Sequence, residues 1–324
     1  MFVELALTAL AIEAAFGFPD ILYRRIGHPV GWIGALIARC DRAWNRREFS
    51  FQRRRVLGLG TLLLLLAVSG FSGTIIFWLA QHFLADFAGT LVCGAVASTL
   101  LAQRSLDAHV RAVADALEQK GTEAGRRAVS MIVGRDTASL DAAGVSRAAI
   151  ESLAENFSDG VVAPLLWLLV AGLPGALSYK AINTADSMIG HKSDRYLAFG
   201  WASARADDLV NLPASRLSAF WLVLASATLS GFSPRGSFVA VWRDAARHRS
   251  PNAGWPEAAM AGALGLRLAG PRAYDGTTIN DHWIGDGRET ASARDIRLAL
   301  RLYRVACAIQ FAGVAGLAAS MAFL

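Results

Sequence analysis

The chain has 324 residues, is 54% hydrophobic and contains several unbroken apolar runs, so an integral membrane protein is the first expectation. Its formal charge of +6 comes from arginine, with 29 Arg against only three lysines, Lys120, Lys180 and Lys192. No aromatic-interleaved basic surface and no zinc-finger or RNP-like string occurs, so the charge speaks for membrane topology and phosphate-bearing substrates and against nucleic acid.

Residues 1–17 are just long enough for a span, although Glu4 and Glu13 interrupt them. They lack a basic n-region and a small-residue cleavage site, which reads as a retained segment and not a signal peptide. The following loop carries nine arginines (24, 25, 39, 42, 46, 47, 53, 54, 55) against Asp20, Asp41 and Glu48. By the positive-inside rule it faces the cytoplasm, and the apolar stretch Trp32 to Ile37 within it suits an interfacial helix. Residues 56–80 form the clearest transmembrane helix, 84–102 return as its partner, and 305–324 make a last span. Between them, 103–146 is soluble in character, with helical periodicity in Leu106, Val110, Val113 and Leu117.

Two apolar runs are ambiguous. Residues 160–177 hold Pro164, Gly172, Pro174 and Gly175, and 217–232 are at or below the length of a span. If both cross, residues 180–216 lie outside the cell. If both re-enter or stay within protein, every polar cluster is cytoplasmic, and broken helices lining a cavity are the preferred version. Pro251, Gly254 and Pro256 then make a turn into an Ala/Gly-rich helix with Glu257 at its positive end, and 275–294 read as a polar loop. The fold expected is all-α: a polytopic integral membrane protein with cytoplasmic helical loops and broken or re-entrant helices. It is read as a single membrane-embedded domain, 1–324.

The polar residues concentrate between Arg147 and Arg216. Glu151, Glu155 and Asp159 recur every four residues and share one helical stripe. Like charges at that spacing want a cation; a solvated face and a magnesium–nucleotide role both remain open. Asn183 and Asp186 follow at i,i+3, then Lys192 and Arg195, and Asp207, Asp208 and Asn211 form a third polar turn that Pro213 stops. Asn156, Asn183, Asn211 and Asn252 each stand in a polar cluster beside an acid. Cys40, Cys93 and Cys307 are isolated, which speaks against a disulfide framework or a zinc site. The absence of any Gly-Lys dipeptide excludes a Walker loop, and no GxSxG or HExxH string occurs. The six histidines are scattered without metal-ligand spacing.

The strings HPVGWIG (28–34), GRDT (134–137), RAAIESLAENFSDGVVAPLLW, PGALSYKAINTADSMIGHK, RADDLVNLPASRLSA and HRSPNAGWPEAAMAGALG resemble the adenosylcobinamide-phosphate synthase family (cobalamin biosynthesis protein CobD/CbiB) over most of residues 17 to 290. Two departures are visible: Gly17, Phe18, Pro19 and Asp20 replace the usual Gly-Asp-Pro, and the proline after Asn211 comes one place early. The resemblance implies a multi-pass enzyme of the bacterial inner membrane with a cytoplasmic active site. It would join adenosylcobyric acid to aminopropanol, as its O-phosphate, using ATP and Mg²⁺. Glu151, Glu155, Asp159, Asp186 and Lys180 would be catalytic, the first three also holding the metal. Asn156, Asn183, Lys192, Asp207, Asp208, Asn211, Arg216, Ser250, Asn252 and Glu257 would bind substrates.

Besides lipid and the corrinoid, the partners to expect are a second copy or other membrane proteins of the cobalamin pathway. The competing reading is a transporter or binding protein for a corrinoid or other anionic ligand, since acids and lysines at broken helices suit that class too. The ligase reading requires the polar patches to face one cavity on the cytosolic side.

Overall fold

The computed structural model describes residues 1–18, 24–25, 27–134, 136–270, 272–274, 277–279 and 282–322. Helices dominate it. Where the sequence reads as one domain, the packing gathers the chain into two compact units, each discontinuous in sequence.

The first unit comprises Met1–Ala102, Ala163–Asn211 and Val314–Leu324. It holds α1 (Phe2–Phe16), α2 (Pro29–Trp44), α3 (Phe51–Phe83), α4 (Asp86–Ser98), α7 (Ala163–Ile189) and α8 (Trp201–Val210). Apolar cores organise it. Leu5, Leu10, Cys93, Leu100, Leu168 and Leu173 pack α1 against α4 and α7, while Ile37, Leu65, Ala181, Ile189 and Phe199 pack α2 and α3 against the far end of α7. Leu63, Phe71 and Trp78 of α3 point outward, 57%, 69% and 56% exposed, as a lipid-facing helix requires.

The second unit comprises Gln103–Val162 and Leu212–Gly313. It holds α5 (Gln103–Val129), α6 (Ala142–Phe157), a π-helical turn (Ser158–Val162), α9 (Leu212–Thr228), α10 (Pro234–Asp244) and α11 (Gly254–Leu264). Most of α12 (Ala293–Ala322) belongs to it as well. Phe157 meets Tyr303 edge to face at 5.4 Å, and Arg304 Nε lies 2.6 Å from Asp107 Oδ1, so α12 is fixed to α5 and α6 by both packing and charge. Two stretches of the segment read as a polar loop, 275–294, pair antiparallel with residues just before it: β1 (Leu268–Ala269) with β4 (Trp283–Ile284), and β2 (Arg272–Tyr274) with β3 (Thr277–Ile279). Residues 275, 276, 280 and 281 of that segment lie outside the described residues.

Among the described residues, four helices are long and apolar enough to cross a membrane: Phe51–Phe83, Asp86–Val129, Ala142–Ile189 and Ala293–Met321. A fifth results if the bent pair Trp201–Val210 and Leu212–Thr228 is one span. At the segment expected to span, 1–17, α1 has 15 residues, about 22 Å at 1.5 Å per residue against the ~30 Å hydrocarbon core. Glu13, which weakened that reading, is 2% exposed and sits within protein. The helix that includes 160–177 is broken at Ala171 (φ −133°) and Gly172 (φ 63°), just before Pro174. Proline cannot supply the amide that would continue the ladder through that break.

Candidate functional site

In the first unit the polar residues of α7 and α8 meet. Tyr179 donates its hydroxyl to Asn211 Oδ1 at 2.9 Å, and Asn183 Nδ2 donates to Asp207 Oδ1 at 3.3 Å. Trp167 adds a third bond, to the Val210 carbonyl at 3.2 Å. Asp207 and Asn211 are buried, and Asp186 and Asp208 lie within electrostatic reach of Asp207. Three carboxylates and two carboxamides therefore share one patch beside apolar helices. Asp208 pairs with Arg205 at 3.4 Å, while Asp207, buried beside the charges of Asp186 and Asp208, sits where like charge and lost hydration both favour a cationic guest.

The local chain is shaped for this. A Cβ on Gly190 would stand 1.9 Å from Asp186 Oδ1, so only glycine leaves that carboxylate its place at the end of α7. The HPVGWIG string packs on the same segment, where Met188 Sδ lies 3.3 Å from the position a Cβ on Gly34 would take. His28 caps α2, its Nδ1 accepting the Val30 amide proton at 3.2 Å. Burial and then the nearby Lys180 ammonium hold His28 below the usual histidine value, which keeps the ring neutral for that bond.

A second constellation in this unit escaped sequence reasoning. Buried Asp41 accepts from Asn45 Nδ2 at 2.8 Å and from Arg195 Nη2 at 2.5 Å. Asn45 Nδ2 also reaches the Arg195 carbonyl at 3.1 Å, and Arg54 Nε donates to Asn45 Oδ1 at 2.7 Å. The arginine-rich loop thus grips the turn that presents Lys192, which is exposed. The one available signal was Asp41 itself, an acid among arginines, four residues from an amide.

In the second unit Arg216 is the hub. Its Nη1 lies within hydrogen-bonding distance of the Pro251 carbonyl (3.1 Å), Asn252 Oδ1 (3.2 Å), Ser215 Oγ (2.9 Å) and the Leu212 carbonyl (3.2 Å). The guanidinium also stacks 4.3 Å above the Trp255 ring. Ser250 Oγ accepts the Asn252 and Ala253 amides, shaping the turn into α11, and His248 Nε2 stands 3.8 Å from Glu257 Oε1. Arg216, Ser250, Asn252 and Glu257 are therefore neighbours, joined by Ser215, His248 and Trp255.

The acidic stripe does not stay one stripe. Glu151 is buried, its Oε1 accepting the Ala269 amide at 2.8 Å, whereas Glu155 and Asn156 are exposed. Half-buried Asp159 falls in the π-helical turn, whose wider winding ends the four-residue period. Among the described residues no group of three or more His, Cys, Asp or Glu side chains gathers as a metal cage. Arg135 of the GRDT string lies outside the described residues, as do Pro19 and Asp20.

Residues 6–303 match the family described as CobD/Cbib protein. Among curated relatives, the cobalamin biosynthesis protein CobD of Rhodobacter capsulatus is 51% identical over 308 residues, covering 95% of this chain and 94% of its own. CobD of Sinorhizobium fredii is 52% identical over 302 residues, covering 92% and 91%, and that of Brucella suis is 48% identical over 297 residues, covering 91% and 90%. No solved structure matches the chain.

Proposed function

Because the chain belongs to the CobD/CbiB family of cobalamin biosynthesis proteins, we propose that it is an ATP-dependent ligase of the bacterial inner membrane, joining a propionate carboxylate of adenosylcobyric acid to the amine of aminopropanol O-phosphate. The product is adenosylcobinamide phosphate. An amide does not form from a carboxylate in water without activation. ATP supplies that activation: the carboxylate takes the γ-phosphoryl group, ADP leaves, the amine attacks the acyl carbon, and inorganic phosphate departs.

What this asks of the protein is an ammonium site, a base, and cations for phosphate. The observation that carries the reading is the patch of Asn183, Asp186, Asp207, Asp208 and Asn211 at the end of a broken apolar helix. It suits an incoming ammonium and offers carboxylates to take its proton. Lys180 and Lys192 meet phosphate or corrinoid carboxylate groups, and Arg216 presents a guanidinium fixed by Ser215, Asn252 and Trp255 for the same purpose. Ser250 shapes and Glu257 lines that turn, and Asn156 makes an amide contact.

Magnesium fits as an ion that arrives on the nucleotide. It keeps most of its waters and needs only one or two protein carboxylates. Glu155 and Asp159 are accessible for that role, while Glu151, engaged with the Ala269 amide, serves as their support.

Purified protein in lipid, given ATP, adenosylcobyric acid and aminopropanol phosphate, is expected to release ADP and phosphate only when acid and amine are both present, one amide per ATP. Ligand movement across sealed vesicles with no amide formed would replace this reading with the transporter.

A further inference from the structure

The helix α10 (Pro234–Asp244) has one face fully accounted for and another that faces outward. On the inner face Ser237, Ala240 and Asp244 are buried. Ser237 Oγ donates to the Ala259 carbonyl at 2.8 Å. A Cβ on Gly262 would stand 2.2 Å from the Gly236 carbonyl oxygen, so α10 and α11 touch backbone to backbone. Asp244 turns inward to the Arg243 guanidinium and accepts the Gly285 amide at 2.9 Å.

On the outer face Phe238, Val239 and Trp242 are 59%, 44% and 83% exposed, and the two rings stack at 6.5 Å with their planes 14° apart. In water this arrangement is unfavourable, because a large aromatic at such exposure gains almost nothing from its fold. Exposed Arg235, Arg247 and Arg249 flank the stripe, and α10 itself presents no exposed carboxylate. The helix also follows the apolar α9 (Leu212–Thr228) after only residues 229–233, so it begins close to wherever α9 meets the bilayer. A short helix with Trp and Phe on one side, arginine at its rim and a covalent link to an apolar helix matches the physics of an in-plane interfacial helix.

We propose that α10 lies in the membrane–water interface with Phe238, Val239 and Trp242 inserted at the headgroup–acyl boundary and its arginines on anionic headgroups. The occupant of this face is lipid. Insertion to a depth of about 5–10 Å anchors α11, and with it the Ser250–Glu257 turn, at the membrane surface. This inference does not depend on the ligase reading.

The test uses the full chain, its three cysteines replaced, in proteoliposomes of phosphatidylglycerol and phosphatidylcholine. A spin label at Trp242→Cys reports exposure with little risk to folding, since that side chain makes almost no buried contact. Dissolved oxygen, which concentrates in the acyl region, is expected to relax it several-fold more than a water-soluble nickel chelate. A label at Lys120→Cys, an exposed site on α5, is expected to show the reverse order. In a Phe238→Ser, Trp242→Ser background, a label at Val239→Cys is expected to become accessible to the chelate. Stronger relaxation of the Trp242→Cys label by the chelate would overturn the proposal, and so would shielding from both reagents, which would mean a second copy or another protein covers the face.

Discussion

The Asp41 carboxylate and the Arg195 guanidinium, 154 positions apart in the chain, meet at 2.5 Å. Residues joined in this way lie on one side of a membrane, so the chain between them crosses an even number of times. Among the described residues, three long apolar helices lie between them, at 51–83, 86–129 and 142–189. The third is broken at Ala171–Gly172 and has 61% of its apolar window buried inside protein, against 22% and 39% for the other two. It is therefore expected to be the one that enters without completing a crossing. Single cysteines at Arg47, Lys192 and Ala85, in a chain lacking the native three, test this with a membrane-impermeant maleimide. Positions 47 and 192 are expected to label from the same side and position 85 from the other; labelling of 192 together with 85 would refute the inference.

The same pair sets a second expectation. Asp41→Ala removes the acceptor that both Asn45 and Arg195 use, at a cost of about 1–2 kcal/mol given that Arg195 is largely exposed. The turn carrying Lys192 loosens, so trypsin cuts at Lys192 and Arg195 faster in the folded protein. In the ligase assay KM for the phosphate-bearing substrate rises several-fold with kcat less affected, and Asp41→Glu recovers part of the loss. Unchanged proteolysis would show that the clamp does not hold the turn.

Glu151 and Glu155, one helical turn apart, are expected to fail differently. Glu151 accepts the amide of Ala269, a non-glycine residue held at φ 58°, so Glu151→Ala leaves a buried donor without its partner and lowers stability by about 1–3 kcal/mol. Glu155 is exposed. Glu155→Ala is expected to leave the melting temperature in place and to abolish ATP-dependent amide formation. The comparison needs only a melting curve and a turnover assay, and near-normal turnover by the second variant would remove Glu155 from the chemistry.

Tyr179→Phe deletes one hydroxyl and leaves buried Asn211 without that donor, a loss of about 1–2 kcal/mol. It loosens the end of α8 while leaving Asp186 and Asp207 their charges. Turnover is expected to fall several-fold, whereas Asp186→Ala is expected to remove it. Equal turnover in the two variants would mean that the carboxylate patch does not bind the amine.

Acid should open an ionic joint of the second unit. Burial opposes the charge on Asp244, but hydrogen bonds from Arg243 and the Gly285 amide, with the charges of Arg243 and Arg247, hold its carboxyl below the ordinary range. Arg243 holds exposed Asp286 down in the same way. Both folded-state values lie below the unfolded ones, so this stabilisation is complete above about pH 4 and is lost as the pH falls through the folded values. Arg243→Ala leaves Asp244 buried without its main counter-charge, and acid unfolding followed by circular dichroism is expected to begin on the order of one pH unit higher. An unchanged acid limb would show that the joint contributes nothing.

Hydropathy and charge along the chain were enough to establish a helical membrane protein, its basic loop, the apolar hairpin of 56–80 and 84–102, and the polar strings that carry the family resemblance. These are local properties: a side chain's transfer free energy and a 3.6-residue period are written in neighbouring positions. They read Glu151, Glu155 and Asp159 as equivalents until a π-helical turn and the Ala269 amide separated them. Only the tertiary structure decided that Asp41 anchors Arg195, that Asn183 meets Asp207, that Arg216 stacks on Trp255, and that α10 turns three apolar side chains outward. Each of these depends on where remote backbone segments come to rest, and a polar side chain's partner is chosen by that long-range packing, not by the residues beside it in sequence.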